Sequence, residues 1–598
     1  MMGAGLAALL AACATAPADG TAPPQGTEPR ADGVGADGAG ALAPILDDHW
    51  AMVMAENPAF ATTLGVRDHD TNLSDPSLAA YEDGIEARRA ILARLDALPD
   101  DALTDADRLN RDLLASQLTR EVEAARFGGR YMLMTNRGGP HLDLAGLPDR
   151  LPFRTRADYE SYVARLSAMP EYLARAADRL RAGLAQGWVQ PCAPMAGYED
   201  TIGAHVVVDP EDSVFLDPFD ARPAGVPAPA FAALKGRAGE AVRAEVVPAL
   251  RAYEDFYLTE YQPECREGVA TSEMPGGADY YAHRVRLFTT VDEATPRGVH
   301  ETGLAEVARI RAAMEAIAHG QGFAALADFQ EHLRTAPQYY PQSPEARMAA
   351  ASVIAKRMDG QLPKLFTRMP RMPYDIRPVP DDVAEKTTTA YYSRPAGDGS
   401  RAGTYWLNLT KLDTRPLHEL EALTLHEAVP GHHFQIALAQ ELDLPDFRKY
   451  GGFTAFVEGW GLYSESLGEE VGFYQTPLTK FGQLSYEQWR AARLVVDTGM
   501  HAKGWTRQEA IDFMAENTGL SLNNITTEVD RYITWPGQAL AYKTGELKIH
   551  ELRDRAEAAL GDDFDVRRFH DAVLELGAVP LSVLEAHIDA WIAAQGAS

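Results

Sequence analysis

The chain has 598 residues, 46% of them hydrophobic and 24% charged, which is enough for a large packed core and, by length, for several domains. Asp and Glu outnumber Lys and Arg by 86 to 56, giving a formal net charge of −30. Such an acidic surface repels phosphate backbones, so the composition argues against a nucleic-acid-binding protein.

The three cysteines point to the bacterial envelope. The apolar run 3–12 is too short to cross a bilayer and ends in a lipobox-like sequence at Cys13, although no Lys or Arg precedes it. We predict a signal peptide over 1–13 and lipidation of Cys13, with an ordinary secretory signal as the alternative. Ala14 is not the Asp of a retention signal, which favours the periplasmic face of the outer membrane. Cys192 and Cys265 then either pair in an oxidising compartment or remain separate thiols.

Composition divides the rest of the chain into a tether and a folded region. Residues 14–42 are rich in Pro, Gly, Ala and Asp and lack aromatics, as in a disordered tether. We predict one helical domain over 43–598, with a helical lobe at 43–375 and a second lobe at 376–598 that carries the motif described below. No segment after the signal is long and apolar enough to cross a membrane.

Helical periodicity dominates from residue 43 onward, so the predicted fold class is mainly α. Amphipathic helices are predicted at 81–98, 158–187, 230–258, 295–321 and 344–358. The Thr- and Tyr-rich segments 386–394 and 403–409, separated by a Pro-Gly loop, predict a β-hairpin beside the catalytic helix. Later helices are predicted at 416–429, 453–470, 478–501 and from Thr506, which forms a capping box with Glu509.

The segment from His426 to His433 reads HEAVPGHH and resembles a metal-binding motif with an altered spacing. In the zinc-protease motif HExxH, both histidines lie on one helix face. Here Pro430 cannot continue the helix undisturbed, and Gly431 permits an unusual backbone turn. A two-residue bulge would return His432 to the position of the usual second ligand. We therefore predict His426 and His432 as ligands, with His433 as the alternative to His432.

A third ligand is expected from the next helix. Glu458 lies beside two glycines that allow close approach, and His-His-Glu is a known zinc ligand set that leaves a fourth position for water. Glu465, two turns along the same face, could orient a ligating histidine. Glu427, next to His426, would be the general base for attack of metal-bound water. The alternatives are that the paired histidines only cap a helix and that Glu458 is a solvated charge.

Candidates for the remaining catalytic roles lie downstream. A peptidase must stabilise the oxyanion of its tetrahedral intermediate, and His501 and Tyr542 are the candidates. Their alternatives are a histidine at a helix C-terminus and a buried, packed tyrosine. A cation in the same segments could bind a substrate carboxylate, which would make the enzyme a carboxypeptidase or dipeptidyl carboxypeptidase. These cations are Arg490, Arg493, Arg531 and Lys543.

The strand at 403–409 has a predicted substrate role as well. As an edge strand beside the catalytic helix, it could hold an extended peptide through main-chain hydrogen bonds, with Tyr405 and Asn408 near the substrate. The alternative is a strand that only covers the core.

Four segments resemble a known family: HEAVPGHHFQ, EGWGLYSE, RAARLVVDTGMHAKGW and ITWPGQALAYKTGELKI. They are similar to the bacterial domain of unknown function 885, which in turn resembles the gluzincin zinc metallopeptidases such as thimet oligopeptidase. The resemblance implies a mostly helical, bilobed fold with a deep cleft, a Zn²⁺ site and peptide hydrolysis. It assigns His426, Glu427, His432 or His433, and Glu458 to the metal and base roles, although the histidine spacing is longer than in HExxH.

The sequence thus predicts a zinc-dependent peptidase of the bacterial envelope that hydrolyses short peptides. The expected partner is a peptide substrate, with membrane contact only through the lipid anchor. Two alternatives remain open: a metal-dependent hydrolase of another amide, and a non-catalytic lipoprotein that binds peptides.

Overall fold

A computed structural model describes residues 39–380, 384, 388–399 and 401–596. The predictions for the signal peptide, for lipidation of Cys13 and for most of the tether lie outside these residues. The first helix begins at Ala39, inside the predicted tether, so the tether boundary at residue 42 is placed too late. Leu42 and Ile45 of this helix are buried in the core, which explains why the helix starts here.

The described chain is mainly helical, with about 70% of its residues in helices. The helices before the sheet are α1 (Ala39–Glu56), α2 (Pro58–Thr63), α3 (Leu78–Asp96), α4 (Asp105–Ala124), α5 (Pro140–Ala145), α6 (Leu147–Arg150), α7 (Arg156–Ala185), α8 (Tyr198–Gly203), α9 (Ala228–Ala241), α10 (Val247–Phe256), α11 (Gly277–Thr289), α12 (Pro296–Gly320), α13 (Leu326–Thr335), α14 (Pro344–Asp359) and α15 (Leu362–Leu365).

A small sheet follows these helices. Among the described residues it contains β1 (Tyr374–Pro378), β2 (Ala390–Ser393) and β3 (Gly403–Leu407), in the order β1-β3-β2. β3 is antiparallel to β2, as the predicted hairpin requires, and parallel to β1. The prediction of β3 as an edge strand is wrong, because partners on both sides already use its backbone groups. It cannot receive a peptide by strand addition.

The helices after the sheet carry the predicted site residues. They are α16 (Leu420–Glu427), α17 (His432–Glu441), α18 (Asp446–Tyr450), α19 (Thr454–Leu467), α20 (Pro477–Lys503), α21 (Arg507–Asn517), α22 (Leu522–Thr534), α23 (Ala541–Leu560), α24 (Val566–Leu574) and α25 (Leu581–Gly596).

The predicted helices agree with the structure to within about three residues, with two exceptions. The predicted helix 230–258 is α9 and α10 joined by a π-helical turn at Val242–Val246. The predicted helix 416–429 begins with a 3₁₀ turn at Leu417–Glu419 and becomes α-helical only in α16. The capping box of Thr506 and Glu509 is present.

The largest hydrophobic cluster surrounds the segment that carries the HEAVPGHH motif. It joins residues of the N-terminal helices, such as Leu42 and Leu114, to Leu423, Phe434 and Trp460 of the motif region. A separate cluster is built from residues between 134 and 261. This largest cluster therefore includes residues on both sides of residue 375, the predicted boundary between the lobes.

The disulfide bears on the cellular compartment. Cys192 and Cys265 form a disulfide, with their Cα atoms 5.0 Å apart, which resolves the two alternatives in favour of pairing. Disulfides of this kind persist in oxidising compartments such as the periplasm. None of the helices in the described ranges combines the length and apolar character needed to cross a membrane.

Candidate metal centre

The break between α16 and α17 replaces the continuous helix of an HExxH motif. α16 ends at Glu427, and α17 begins at His432 after a Val429–Pro430 peptide in the cis form. A Cβ on Gly431 would collide with the carbonyl oxygen of His426, so only glycine fits this close turn. The sequence therefore bends here because Pro430 interrupts the helix and Gly431 allows the chain to fold tightly against it.

The break is fixed to the neighbouring helix by one hydrogen bond. The indole Nε1–H of Trp460 on α19 donates to the carbonyl oxygen of Pro430 at 2.8 Å. Trp460 is wholly buried, so solvent does not compete for this bond. Through Trp460, the position of the break is tied to the helix that carries Glu458.

His426, His432 and Glu458 come together at this break. One ligand atom from each lies within 4.8 Å of the other two, and all three side chains are buried. The Nε2 atoms of His426 and His432 lie 3.7 and 3.4 Å from Oε2 of Glu458. Ligands about 2.0–2.1 Å from a tetrahedral zinc would be separated by about 3.3 Å. The spacing therefore suits a shared cation better than direct hydrogen bonds.

A carboxylate behind His426 fixes the orientation of its ring. Nδ1 of His426 lies 2.8 Å from Oε1 of Glu465, as the sequence predicts for an orienting residue. A proton on Nδ1 would be donated to Glu465, which leaves the lone pair of Nε2 facing Glu458. Glu465 is itself wholly buried and has Arg490 Nη2 at 3.5 Å.

The electrostatics of this group favour positive charge. Burial opposes the protonated form of His426, but Glu458 and Glu465 outweigh it and raise its pKa to about 9. Burial would raise the pKa of Glu458, yet the charges of His432 and His426 hold that pKa well below its ordinary value. A field that attracts a proton to this place would attract a metal cation as well.

Glu427 lies at the same place, at the end of α16. Burial raises its pKa, while the charges of His432 and His426 act in the opposite direction. Its side chain is therefore close enough to both rings for their charges to act on it. Glu427 therefore stays a candidate for the general base that the sequence predicts.

His433, the alternative ligand, faces the sheet instead. Its Nε2 lies 3.0 Å from the carbonyl oxygen of Met372, and its Nδ1 lies 2.9 Å from the Tyr392 hydroxyl. The carbonyl can only accept, so Nε2 carries the proton and Nδ1 accepts from Tyr392. Both ring nitrogens are occupied, and His433 holds the first turn of α17 against the sheet.

Small residues allow α19 to approach its neighbours closely. A Cβ on Gly459 would lie 2.5 Å from the Cα of Gly545 on α23, and a Cβ on Gly545 would collide with the Ala455 carbonyl. A Cβ on Gly461 would lie 2.8 Å from the His426 ring. The glycines beside Glu458 therefore bring α16, α19 and α23 together at the site.

Tyr542, predicted to stabilise an oxyanion, lies next to this centre. Burial raises the pKa of its phenol, and the charge of Glu458 raises it further. The ring of Tyr542 stacks on the guanidinium of Arg493 at 4.4 Å. Tyr542 is half-buried, which leaves part of it open to solvent.

His501, the second oxyanion candidate, is in the wrong environment for that role. Its Nδ1 accepts the backbone N–H of Thr271 at 3.2 Å, and its Nε2 donates to the carbonyl oxygen of Tyr532 at 3.0 Å. Burial lowers its pKa to about 3. The ring is fully used in joining two backbone segments, so the prediction of a catalytic His501 is wrong.

Three of the residues predicted to contact a substrate are buried inside the protein. Tyr405 is wholly buried on the central strand, and Asn408 donates to the carbonyl oxygens of Ala384 and Thr388 at 2.6 and 3.1 Å. Arg490 lies against Glu465 and stacks on Tyr486 rather than facing a substrate. Each is held by neighbours that local sequence does not reveal.

The other predicted cations form buried ion pairs. Lys543 is wholly buried and contacts Glu306, Glu487 and Glu546 at 3.0, 2.8 and 2.9 Å. Arg531 pairs with Glu528 at 2.9 Å. Three carboxylates thus surround the single positive charge of Lys543, so this residue is not a substrate ligand.

Sequence reasoning missed three residues that position the centre. These are Trp460, which fixes the break, His433, which fixes α17, and Arg490, which contacts Glu465. No local signal identifies these roles, because each depends on a partner between 25 and 61 residues away in the chain.

Residues 58–588 match the family described as "Bacterial protein of unknown function (DUF885)". The chain belongs to this family. No curated protein matches it in sequence.

Two solved structures share the fold of this DUF885 protein. A protein from Colwellia psychrerythraea, described as a "putative lipoprotein", is 28% identical, with a TM-score of 0.88. A protein from Shewanella oneidensis, described as a "putative lipoprotein of unknown function", is 18% identical, with a TM-score of 0.64. Each match covers 92% of this chain and 99% of the other. The descriptions of both proteins agree with the envelope location that the sequence predicts.

Proposed function

We propose that this DUF885 protein is a zinc-dependent hydrolase that cuts short peptides. The observation that carries the proposal is the meeting of His426, His432 and Glu458 around one point, at spacings that suit a tetrahedral ion.

The residues present fit a zinc ion on two further grounds. Oε2 of Glu458 is buried, yet it accepts no hydrogen bond from any described residue. A buried carboxylate oxygen without a partner is costly, and a cation would compensate it. Two imidazole nitrogens and one carboxylate oxygen form a donor set typical of catalytic zinc.

Each residue of the centre has a separate task in this proposal. Zinc, when bound, would supply a Lewis acid that polarises a carbonyl group and makes water more acidic. Glu427 would accept the proton of the attacking water and return it to the leaving amine. Glu465 keeps the His426 ring in the tautomer that faces the metal. Tyr542 would donate a hydrogen bond to the oxyanion.

A peptide substrate is supported by the resemblance of the motif to gluzincin metallopeptidases. That resemblance also carries the proposal of a bilobed fold with a deep cleft. The disulfide and the lipoprotein descriptions of the two similar structures support a lipid-anchored enzyme on the periplasmic face of the outer membrane.

The test combines metal analysis with a peptide assay. We expect purified protein to contain about one zinc per chain and to cleave members of a mixed peptide library. Chelation should abolish cleavage, and added zinc should restore it. Zinc at the expected ratio without cleavage of any peptide would favour the alternative of a hydrolase acting on other amides. Absence of both zinc and cleavage would refute the proposal.

A further inference from the structure

A group of arginines surrounds the buried carboxylate of Glu528 beside Tyr542. Arg137, Arg493 and Arg531 all contact the carboxylate of Glu528, at 2.9, 3.0 and 2.9 Å. We call these three arginines the arginine cluster. Glu528 also accepts a hydrogen bond from the Tyr532 hydroxyl at 2.8 Å, so its oxygen atoms are fully occupied.

The arginine cluster carries more positive charge than its surroundings neutralise. Within the described part of the chain, Glu528 is the only carboxylate that forms an ion pair with any of the three. The nearby Asp530 is occupied by Arg507 at 2.6 and 2.9 Å. Three guanidinium groups on one carboxylate leave a surplus of positive charge, although the whole chain carries −30. A buried surplus of this kind is costly unless an anion joins it.

Arg493 provides the free donor of the arginine cluster. Its guanidinium lies between the rings of Trp489 and Tyr542, 4.4 Å from each. Its Nε donates to Tyr532 and its Nη2 to Glu528, but its buried Nη1 has no hydrogen-bond partner among the described residues. Stacking fixes the plane of the group, so the direction of this donor is fixed as well.

The arginine cluster adjoins the candidate metal centre. Arg493 follows Arg490 by three residues on α20, a rise of about 4.5 Å, and Arg490 contacts the Glu465 that orients His426. Tyr542 stacks on Arg493 and lies on α23, which meets the helix of Glu458 where Gly545 contacts Gly459. Tyr542 is half-buried and the Arg137 side chain is 31% exposed, so the cluster reaches solvent at these two residues.

We propose that the arginine cluster binds a carboxylate of the peptide substrate, with Nη1 of Arg493 as the donor that the substrate occupies. This inference rests on the proposed peptidase function and names its substrate class: peptides with a carboxylate near the scissile bond. Because Nη1 is buried, binding of the carboxylate requires a neighbouring side chain to shift. The carboxylate comes either from the C-terminus, which gives carboxypeptidase action, or from an acidic side chain.

The first experiment uses the wild-type protein and three matched peptides. One has a free C-terminus, the second has the same sequence with a C-terminal amide, and the third is an amide with an internal Glu. Loss of the charge-assisted hydrogen bond should lower kcat/KM for the plain amide by roughly 10- to 100-fold. If the internal Glu restores kcat/KM, the bound carboxylate is an acidic side chain. If it does not, the bound carboxylate is the C-terminus.

The second experiment measures binding in the Glu427→Gln protein by calorimetry, so that it does not depend on turnover. The free acid should bind roughly 10- to 100-fold more tightly than the amide. Arg493→Lys should remove this preference, because lysine lacks the planar fork. Arg507→Gln, which affects the neighbouring pair with Asp530, is the matched control and should keep the preference. Circular dichroism establishes that both variants fold.

The outcomes separate the two proposals. Equal cleavage and equal binding of acid and amide would overturn the carboxylate site while leaving the peptidase intact. Absence of cleavage for every peptide would count against the peptidase, and the binding preference in the Glu427→Gln protein would still decide the carboxylate site. If Arg493→Lys does not fold, the carboxylate site is tested by wild-type protein alone, through its cleavage of the acid and amide peptides.

Discussion

Two regions of the molecule hold many buried polar side chains, and they differ in how these side chains are satisfied. In the motif region, from α16 to α19, Glu458 Oε2 and His432 Nδ1 have no hydrogen-bond partner among the described residues. In the downstream region, from α20 to α23, His501 and Lys543 have every polar group engaged, whereas Nη1 of Arg493 has no hydrogen-bond partner among the described residues. A buried polar residue is thus a candidate for chemistry when its neighbours leave it incomplete.

The two histidines at positions 432 and 433 show the same contrast within one pair. His432 faces Glu458, while His433 is bonded to Met372 and Tyr392.

We expect His432→Ala to abolish stoichiometric zinc binding, because it removes one of three protein ligands. His433→Ala should retain the metal with reduced stability. Metal analysis of both purified variants measures this, and retention of zinc by His432→Ala would contradict the assignment.

The next largest effect is expected at Glu427. Glu427→Gln should lower kcat by roughly 10²- to 10⁴-fold, because the amide cannot accept the proton of the attacking water. The zinc content should not change, since Glu427 is not a ligand. If Glu427→Gln kept near wild-type activity, another group would be the base. Glu421→Gln, on the same helix, is the matched control.

A smaller effect is expected behind His426. Glu465→Gln should weaken zinc affinity by roughly 10- to 100-fold, because residues that orient a ligating histidine contribute on this scale. Arg490→Gln should act in the same direction but less strongly, since its contact to Glu465 is 3.5 Å long. Competition with a chromogenic chelator measures both affinities. If Glu465→Gln bound zinc with wild-type affinity, Glu465 would have no role in orienting His426 for the metal.

The smallest effect on activity is expected at His501, where stability should change instead. Its pKa is about 3 in the folded protein, below the ordinary value of 6.5. Between these values the unfolded chain binds the proton and the folded protein does not. The free energy of unfolding therefore falls as the pH drops from 6.5 towards 3, with about 1.4 kcal/mol per pH unit from this group.

The variant His501→Gln separates this contribution from those of other buried histidines. Its free energy of unfolding should decline less steeply than that of wild type between pH 6.5 and 4, as measured by urea denaturation. Peptidase activity at pH 7 should be retained. Loss of activity in a folded His501→Gln protein would return His501 to the catalytic candidates.

The sequence predicted the motif region well because its signals are local. Pro430 and Gly431 break a helix wherever they occur together in this way, and the glycines beside Glu458 indicate close helix packing. The downstream roles depend on distant partners: Thr271 lies 230 residues from His501, and Ala384 lies 24 residues from Asn408. β1 was missed because its residues are half-buried and show no clear alternation.

The glycine contact between α19 and α23 has a consequence for how the centre keeps its dimensions. At Gly459 and Gly545 main chain meets main chain, with no side chain between them to rotate or compress. The distance between the helices of Glu458 and Tyr542 is therefore set by the thickness of the peptide backbone itself. Substitutions elsewhere in the core can be absorbed by rotamer changes, whereas even one methyl group here would force the two helices apart.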